Sequence, residues 1–595
     1  MKTKTSLILG LTLGALLAHE NSALAVNVNY YWSADGSAEG GSGTWDTTTP
    51  HFSTNAAGPF DVAWDNTALA SDIANFRGTA GTVDVDAGGI NCRRINVTVS
   101  GYVLQGGKIT SDQANNSFVI DKAAANAVTI HNDFDMTLAG SGNLRVRNSG
   151  GLANPLTLLG TFKFLDATGT KYLDLEGTGS NGSRIDFLGG LLNTDGATIR
   201  LRLGQAGTGT ANDASVYNLA GSSTHAGGTH VVRGTVNVLN STALGTGGVQ
   251  LVNSSTPNNA TVRLFVVGDV DLPPGVSITT ANPASGATVT AVFGKRAGDV
   301  STTTLNGNFN LNADNTQVEI LVAEPGARLN FAGIIADSTG VRGFTKTGAG
   351  VLALVNPFAS LYDGTTVVSA GTLLVSNVTG SATGTGAVLV NSGATLAGRG
   401  VLIGPVTVNG ILSPGTPIGT LTVTNSVTLA AGSTNVMEIH KAAGPVYTAD
   451  KLRVINGTLT LGGTLVVTAS GEPLAPGDSF DLFDGTLAGN FTTLVLPTPP
   501  GGSYWDTSQL GPGGNGTITL VGSFGGQVLG LAYTPTVVTV NFQGTPGGAY
   551  VVQRAAQVTG PWTNLLTTNA PISGLFQYLD ANPPKPSAFY RLMIP

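Results

Sequence analysis

Beyond the first 25 residues, short runs of strand-forming residues alternate with turns of Gly or Asn. Runs such as Thr82–Asp86, Ile95–Val99 and Val249–Val252 have the length of a β-strand. Gly, Thr, Asn and Ser interrupt every window before a helical period of apolar positions is established. The pattern therefore predicts an all-β protein built from many short strands.

Two stretches of the chain repeat nearly the same sequence. Residues 227–238 are followed by 245–253, and residues 363–375 are followed by 384–391. Each copy is a set of β-branched runs separated by Gly, and no single run can bury its apolar side alone. Copies must stack to form a core, which predicts a solenoid.

The run–turn pattern continues over residues 81–525, and we expect this region to form a parallel β-helix. Residues 204–213 are small and polar throughout and are expected to be a surface excursion rather than a coil. When the two repeats are aligned by their sequences, His230 of the first takes the place of Thr366 in the second. That exchange indicates an interchangeable strand position.

Both ends of the chain are richer in aromatic residues. Residues 26–80 contain three of the five tryptophans, Trp32, Trp45 and Trp64. We interpret this segment as a cap that closes the end of the solenoid core, with an exposed aromatic ligand platform as the alternative. Residues 528–595 contain short strand-like runs at hairpin spacing and predict a small β-sandwich.

The N-terminus has the features of a secretory signal peptide over residues 1–25. Lys2 and Lys4 precede an apolar run, and Ala23-Leu24-Ala25 is a small-residue cleavage site. We find no long apolar segment later in the chain, so we expect no transmembrane segment in the mature chain. Cys92 is the only cysteine, which excludes an internal disulfide and favours a bacterial secreted protein.

Charge limits the classes of partner. Only 11% of residues are charged, and the formal net charge is −7. There is no Lys/Arg run or basic patch in the sequence, so we do not expect a nucleic-acid-binding protein. Hydrophobic residues make up 41% of the chain, which is enough for a core and is not typical of a disordered acidic chain.

Several segments resemble a known bacterial family. Residues 346–354 and 362–375 are similar to the autotransporter-associated β-strand repeat, and residues 218–238 are a weaker copy. Residues 396–467 resemble the passenger region that follows such repeats, as in Asp450-Lys-Leu-Arg-Val454. The resemblance implies a right-handed parallel β-helix in a secreted or surface-displayed bacterial protein.

The C-terminal segment departs from that family. A full autotransporter ends in an outer-membrane β-barrel, and residues 528–595 are too few to form one. We therefore expect a passenger-like chain that lacks this barrel. Tyr550–Gln553, Gly560–Thr563 and Phe589–Leu592 instead resemble a β-sandwich module found at the ends of some secreted bacterial proteins.

Parallel β-helices often carry polysaccharide lyases and hydrolases, which makes catalytic patterns in the sequence relevant. Asn193-Thr194-Asp195 matches one fragment of the pectin-hydrolase pattern, but the companion motifs are absent from the sequence. Glycoside hydrolysis needs two carboxylates at a fixed separation. Cys92 has no evident His partner and is expected to be a buried structural residue. We therefore predict no catalytic residue.

The sequence also contains residues that could bind a metal. His225 and His230 lack the further ligands that zinc requires, and no phosphate loop or dinucleotide fingerprint occurs. Acidic residues alternate in three pairs, which could contribute oxygen ligands to calcium but are expected to be solvated outer-face pairs. The pairs are Asp84 with Asp86, Asp133 with Asp135, and Asp269 with Asp271. We predict no metal and no cofactor.

Together these observations predict a secreted or surface-displayed, adhesin-like β-helix protein that is not an enzyme. Its expected partners are extracellular polysaccharide or cell-surface components. The alternative is a polysaccharide-binding or polysaccharide-degrading β-helix protein, suggested by analogy of fold and by aromatic residues that could be exposed, Trp32, Trp45 and Trp562.

Overall fold

The computed structural model describes residues 28–595 except 68–71, 114–116, 124, 126, 167, 195, 205–212, 285, 339, 445, 502, 523–524 and 572. The predicted signal peptide, residues 1–25, lies outside the described residues, as does nearly all of the predicted excursion at 204–213. The chain divides into two compact units, Met1–Leu264 and Phe265–Pro595. Each unit is described by itself.

The first unit consists of short strands joined by turns. Its strands are β1 (Val28–Trp32), β2 (Gly43–Trp45), β3 (Phe52–Ser53), β4 (Asp72–Phe76), β5 (Thr82–Val85), β6 (Ile90–Asn91), β7 (Arg94–Val97), β8 (Val103–Gly106), β9 (Ile109–Gln113), β10 (Ser117–Lys122), β11 (Val128–Ile130), β12 (Phe134–Leu138), β13 (Gly142–Asn148), β14 (Leu156–Leu158), β15 (Phe162–Phe164), β16 (Thr170–Gly177), β17 (Arg184–Phe187), β18 (Leu191–Leu192), β19 (Thr198–Leu203), β20 (Val216–Leu219), β21 (Thr229–Val231), β22 (Gly234–Val238) and β23 (Val249–Leu251). β24 (Thr261–Val266) crosses the boundary to the second unit.

The described strands of the first unit lie in three sheets. The first sheet runs β1-β4-β7-β10-β13-β16-β19-β21-β23 in parallel, with β3 antiparallel at its edge. The second runs β2-β5-β8-β11-β14-β17-β20-β22, and the third β6-β9-β12-β15-β18. Successive strands such as β13, β14 and β15 therefore lie in different sheets, and the next three stack on them. This arrangement is a parallel β-helix.

The second unit is also built from strands. They are β25 (Ile278–Thr280), β26 (Val289–Lys295), β27 (Thr302–Leu305), β28 (Phe309–Leu311), β29 (Thr316–Val322), β30 (Arg328–Phe331), β31 (Ile335–Ala336), β32 (Phe344–Thr347), β33 (Val351–Leu354), β34 (Thr366–Val368), β35 (Gly371–Val375), β36 (Val388–Val390), β37 (Ala394–Gly398), β38 (Val401–Leu402), β39 (Val406–Val408), β40 (Ile411–Pro414), β41 (Thr420–Val423), β42 (Val427–Leu429), β43 (Thr434–Ala442), β44 (Val446–Ala449), β45 (Lys451–Leu461), β46 (Thr464–Gly471), β47 (Ser479–Asp481), β48 (Phe483–Gly489), β49 (Thr493–Val495), β50 (Ser503–Asp506), β51 (Thr517–Gly522), β52 (Gln527–Tyr533), β53 (Val538–Gln543), β54 (Ala549–Ala555), β55 (Thr563–Asn569), β56 (Leu575–Asp580) and β57 (Phe589–Met593).

Two long parallel sheets make up most of the second unit. One runs β26-β29-β32-β34-β36-β39-β42-β45-β48, and the other β27-β30-β33-β35-β37-β40-β43-β46-β49. A shorter parallel sheet runs β25-β28-β31, and β47-β51-β50 is antiparallel. The predicted all-β class and parallel β-helix are confirmed. Among the residues that the structure describes, no helix is long and apolar enough to span a membrane.

The last strands form two small antiparallel sheets. β53 pairs with β52 and β56, and β54 pairs with β55 and β57. Val540 and Phe542 of one sheet and Val552 of the other form a common buried cluster. The predicted C-terminal β-sandwich is thus confirmed as part of the fold class.

Inward-facing side chains stack in columns from coil to coil. Leu144, Leu173 and Leu201 are partners in register on β13, β16 and β19, and each is fully buried. Burial of each leucine contributes roughly 1.5–3 kcal/mol. Because side chains alternate along a strand, the residues immediately before and after each of these leucines face outward.

Aromatic residues of the N-terminal segment lie inside the first unit. Trp32, Trp45 and Trp64 are between 0% and 1% exposed. The ring centroids of Trp45 and Trp64 are 5.0 Å apart, and those of Trp32 and Phe52 are 5.3 Å apart. The alternative in which Trp32 and Trp45 are exposed ligand contacts is therefore wrong, because these rings pack on one another in the core.

The two repeats share one local structure. His225 Nε2 lies 3.0 Å from Thr229 Oγ1, and the hydroxyl of Tyr362 lies 2.6 Å from Thr366 Oγ1. Thr229 and Thr366 both begin strands with the pattern buried, half-buried, buried. The alignment of His230 with Thr366 is thus wrong by one residue, and the structural equivalent of Thr366 is Thr229.

The following turn is also shared. Gly245 and Gly384 both have a positive φ, and a Cβ at either position would lie 2.4 Å or less from the carbonyl oxygen of His225 or Tyr362. The next residue in each copy donates its backbone N–H to that same carbonyl at 3.0 Å. Glycine is required here because the neighbouring coil approaches too closely for a side chain.

Lys346, the first residue of the repeat-like segment 346–354, is fully buried. Its ammonium donates to the backbone carbonyls of Thr347, Gly348 and Ala370 at 2.9, 2.8 and 3.0 Å. The lysine thereby satisfies carbonyls at the corner between two coils, where the strand ladder ends. Burial lowers the pKa of Lys346 to about 8.

Removal of a stacked core ring tests the column packing. Phe134 and Phe162 are buried and stacked with centroids 4.7 Å apart. We expect Phe162→Ala to lower the free energy of unfolding by about 3–5 kcal/mol through lost contacts and a cavity. Denaturant unfolding followed by circular dichroism measures the change. Lys163→Ala, at the exposed neighbour on β15, is the control, and equal losses in both variants would contradict the packing.

Lys346→Met tests the buried lysine by its pH dependence. The unfolded-state pKa of a lysine is about 10.4, so the unfolded chain binds more protons than the folded chain between pH 8 and that value. Lys346 therefore makes the free energy of unfolding rise with pH over this interval. We expect the wild type to gain stability relative to Lys346→Met from pH 8 to 10. Lys451→Met, which removes a half-exposed lysine paired with Asp481, is the control, and an equal pH dependence in both variants would refute the prediction.

Candidate functional site

The outer side of the first sheet of unit one carries a concentration of arginine, carboxylate and aromatic side chains. β13 places Leu144 and Val146 inward, so Arg145 and Arg147 face outward. Outward side chains of β7, β10, β16 and β19 continue this surface, which we call the arginine–carboxylate face. Its members are Arg94, Phe118, Asp121, Arg145, Arg147, Tyr172, Asp174, Glu176, Arg200 and Arg202.

A bulge in β10 shapes this face. The pairing of β10 with β13 shifts register between Phe118 and Ile120, so that Phe118 is opposite Arg145 and Asp121 is opposite Arg147. Without the extra residue, two positions three apart would face opposite sides of the sheet. The bulge therefore places both the ring and the carboxylate outward.

Asp121 accepts hydrogen bonds from two guanidinium groups. Arg147 donates from Nε to Oδ1 at 2.8 Å and from Nη2 to Oδ2 at 2.5 Å. Arg94 donates from Nη2 to Oδ2 at 3.2 Å. Bidentate pairing of this kind fixes both side chains and is stronger than a neutral hydrogen bond.

The next two carboxylates are held in the same way. Arg145 donates to both oxygens of Glu176 at 2.6 and 2.9 Å, and both side chains are at most 2% exposed. Arg202 donates to both oxygens of Asp174 at 2.6 and 2.7 Å. Burial raises the pKa of the Asp174 carboxyl, although the hydrogen bonds from Arg202 lower it.

Two aromatic rings lie against the guanidinium groups. The carbon Cζ of Arg145 is 4.0 Å from the ring centroid of Phe118, and that of Arg147 is 4.3 Å from it. The Cζ of Arg202 is 4.1 Å from the ring centroid of Tyr172. Cation–π contacts of this kind hold arginine side chains flat against the sheet. The face is consequently a pre-organised array of charges.

The two histidines considered as metal ligands lie in different environments. His225 is fully buried beside Thr229, whereas His230 is outward on β21, opposite Arg202 of β19. The pKa of each is lowered to about 4, mainly by burial, and Arg200 and Arg202 contribute for His230. Among the described residues, no group of three or more His, Cys, Asp or Glu side chains is placed to hold a metal ion.

Alternating acids hydrogen-bond to their surroundings. Most of these bonds reach the next coil, as in Asp271, whose Oδ1 accepts the backbone N–H of Thr304 at 2.6 Å. In the same way Asp133 accepts from Thr161 at 2.7 Å and Asp269 from Thr302 at 2.9 Å. Two further acids accept hydrogen bonds from side chains of adjoining coils. Lys108 donates to Asp135 at 2.8 Å, and Gln105 donates to Asp84 at 2.6 Å. Asp86 accepts from the backbone of Gly88 at 2.8 Å.

The other predicted positions are distributed over the chain. Cys92 is buried, and burial raises the pKa of its thiol to about 12, which keeps it protonated and unreactive. Asp195 lies outside the described residues. Trp562 is half-buried, and the Cζ of Arg591 lies 4.2 Å from its ring centroid. None of these residues belongs to the arginine–carboxylate face.

The sequence patterns did not identify this face. Its members are separated by 26 to 31 residues between paired partners, so no local motif contains them. A weak signal was present in the alternation of Arg145 with Arg147, Asp174 with Glu176, and Arg200 with Arg202. Like or unlike charges two residues apart on a strand share one side of the sheet.

Comparison with known proteins gives a distant similarity. No family model matches the chain. A search of curated proteins finds "Adhesin BmaC autotransporter" of Brucella suis biovar 1 (strain 1330), 29% identical over 189 residues, which is 30% of this chain. The match spans 5% of that much longer protein. Over this part the chain is similar to an autotransporter adhesin.

Proposed function

We propose that the protein is a secreted or surface-displayed, adhesin-like β-helix protein that acts by binding and not by catalysis. Export depends on the signal peptide expected at residues 1–25. The segments at 346–354 and 362–375 act as autotransporter-associated repeats in this proposal. Similarity to an autotransporter adhesin supports display at a cell surface.

The arginine–carboxylate face carries this proposal. Each of its carboxylates accepts a bidentate pair of hydrogen bonds from an arginine: Asp121 from Arg147, Glu176 from Arg145, and Asp174 from Arg202. A carboxylate held in this way has few positions left for a nucleophilic or proton-transfer role. A fixed array of charges over several strands is instead suited to recognising a polar surface.

A second candidate function is cleavage of polysaccharide. One observation favours it: Asp174 and Glu176 project from the same side of β16, and burial raises the pKa of Asp174. Glycoside hydrolysis requires two neighbouring carboxyl groups, one of which acts as the acid. In this candidate function, Asp174 is the general acid and Glu176 is the second catalytic carboxylate.

One panel experiment separates the two candidates. The purified protein is incubated with immobilised plant, algal and bacterial polysaccharides and with fixed bacterial and eukaryotic cells, and bound protein and released sugar ends are measured together. We expect binding to at least one surface and no release of sugar. Asp174→Asn and Glu176→Gln are compared with Asp186→Asn, an acid on β17 outside this face.

The outcomes are distinct. Release of sugar that is abolished by Asp174→Asn or Glu176→Gln, but retained by Asp186→Asn, would establish the second candidate and overturn the first. Absence of binding to every polysaccharide and every cell surface would overturn the adhesin-like function.

A further inference from the structure

Arg200 differs from the other arginines of the arginine–carboxylate face. Its Nη1 donates to the hydroxyl of Tyr172 at 3.2 Å, and its Nε is buried without a hydrogen-bond partner. In the described part of the chain, no carboxylate lies within 4 Å of its guanidinium group. Arg202, two residues later on the same strand, makes a bidentate pair with Asp174.

Glycine backbone lies against Arg200 on the neighbouring strand. Leu201 is opposite Thr229, and its N–H donates to the carbonyl of Gly228. Gly228 therefore lies opposite Arg200 on the neighbouring strand. It has no side chain that could cover the arginine. A Cβ at Gly227 would lie 2.5 Å from Cγ of Arg200, so the glycine backbone packs directly on the arginine stem and fixes its direction.

The face as a whole has an excess of positive charge. Five guanidinium groups stand against three carboxylates, while the whole chain has a net charge of −7. His230, beside Arg202, is neutral at pH 7 because its pKa is lowered to about 4. A local positive excess on an acidic protein attracts anions to this side of the sheet.

We propose that Arg200, together with Tyr172 and His230, binds an anionic group, a carboxylate or a sulfate, of an acidic polysaccharide that lies across the strands of the first sheet. The guanidinium fork matches the two oxygens of such a group. An anionic group supplies the charged partner that this half-buried guanidinium lacks among the described residues. This inference rests on the proposed adhesive function and names its ligand.

An extended sugar polymer fits the face better than a protein partner does. With strands about 4.8 Å apart, the outward side chains from β7 to β21 extend over about 24 Å. The carboxylates of these strands are almost fully buried under the guanidinium groups. The side chains that reach solvent include partly exposed arginines and Tyr172. None of the large exposed hydrophobic side chains of the described chain lies on these strands. The core of a protein interface is depleted of charged residues, whereas sugar hydroxyls and acidic groups bind to polar and charged side chains.

Binding by an arginine variant tests the site. The purified wild-type protein and Arg200→Gln are titrated with polygalacturonate and alginate as carboxylate polymers, with dextran sulfate as a sulfate polymer, and with neutral dextran. We expect wild type to bind one or both anionic classes, and Arg200→Gln to lose about tenfold in affinity, the scale of a charge-assisted hydrogen bond. The class that binds identifies the anionic group.

Two further variants keep the test decisive. Arg328→Gln, at a half-buried arginine of β30 whose Nε donates to Asn330, is expected to bind as the wild type does. Arg200→Lys retains the charge without the fork and is expected to bind with intermediate affinity. Thermal unfolding of each variant shows whether its fold is intact, and if Arg200→Gln is unfolded, Arg200→Lys alone provides the comparison.

Several results would overturn the inference. They are equal affinity of wild type and Arg200→Gln, equal affinity for neutral dextran, and displacement of the polysaccharide by polyglutamate or DNA at similar charge concentration. Adhesion to cells without binding to any anionic polysaccharide would refute this site while leaving the adhesive function standing. Absence of binding to any surface would refute both.

Discussion

Register between stacked coils is the constraint on which this molecule depends. Each strand contributes only a few residues, and its apolar side is buried solely because the strands above and below present theirs at the same position. Since side chains alternate, a slip of one residue would move a whole column such as Leu144, Leu173 and Leu201 from the core to the solvent. Turn glycines such as Gly245 and Gly384, at which no Cβ fits, help to fix that register.

The same register organises the outer side of the sheet. Arg147 stands between Asp121 of β10 and Glu176 of β16, so that opposite charges alternate from coil to coil. Removal of these ions from water is costly, and buried ion pairs are weak evidence of stability. Bidentate geometry and the rings of Phe118 and Tyr172 give the pairs one defined arrangement. A surface of fixed charges is what specific recognition of a polar ligand requires.

Polar groups inside the fold serve the coil corners. Lys346 binds three carbonyls, and the hydrogen bond between His225 and Thr229 corresponds to that between Tyr362 and Thr366. Strand ladders satisfy the backbone within each sheet, but the chain must turn between sheets, where carbonyls have no strand partner. His225, which the sequence offered as a metal ligand, takes part in this corner hydrogen bond.

The amino-acid sequence by itself determined the all-β class, the stacked repeats and the C-terminal sandwich, because local spacing of apolar residues and glycines is a property of neighbouring residues. It did not determine which repeat position faces inward, as the misalignment of His230 with Thr366 demonstrates, nor that Trp32 and Trp45 are buried. The arginine–carboxylate face was decided only by the tertiary structure. Its ion pairs join residues 26 to 31 positions apart, and they meet only because each coil, with its turns and the bulge in β10, returns the chain to the same sheet in one register.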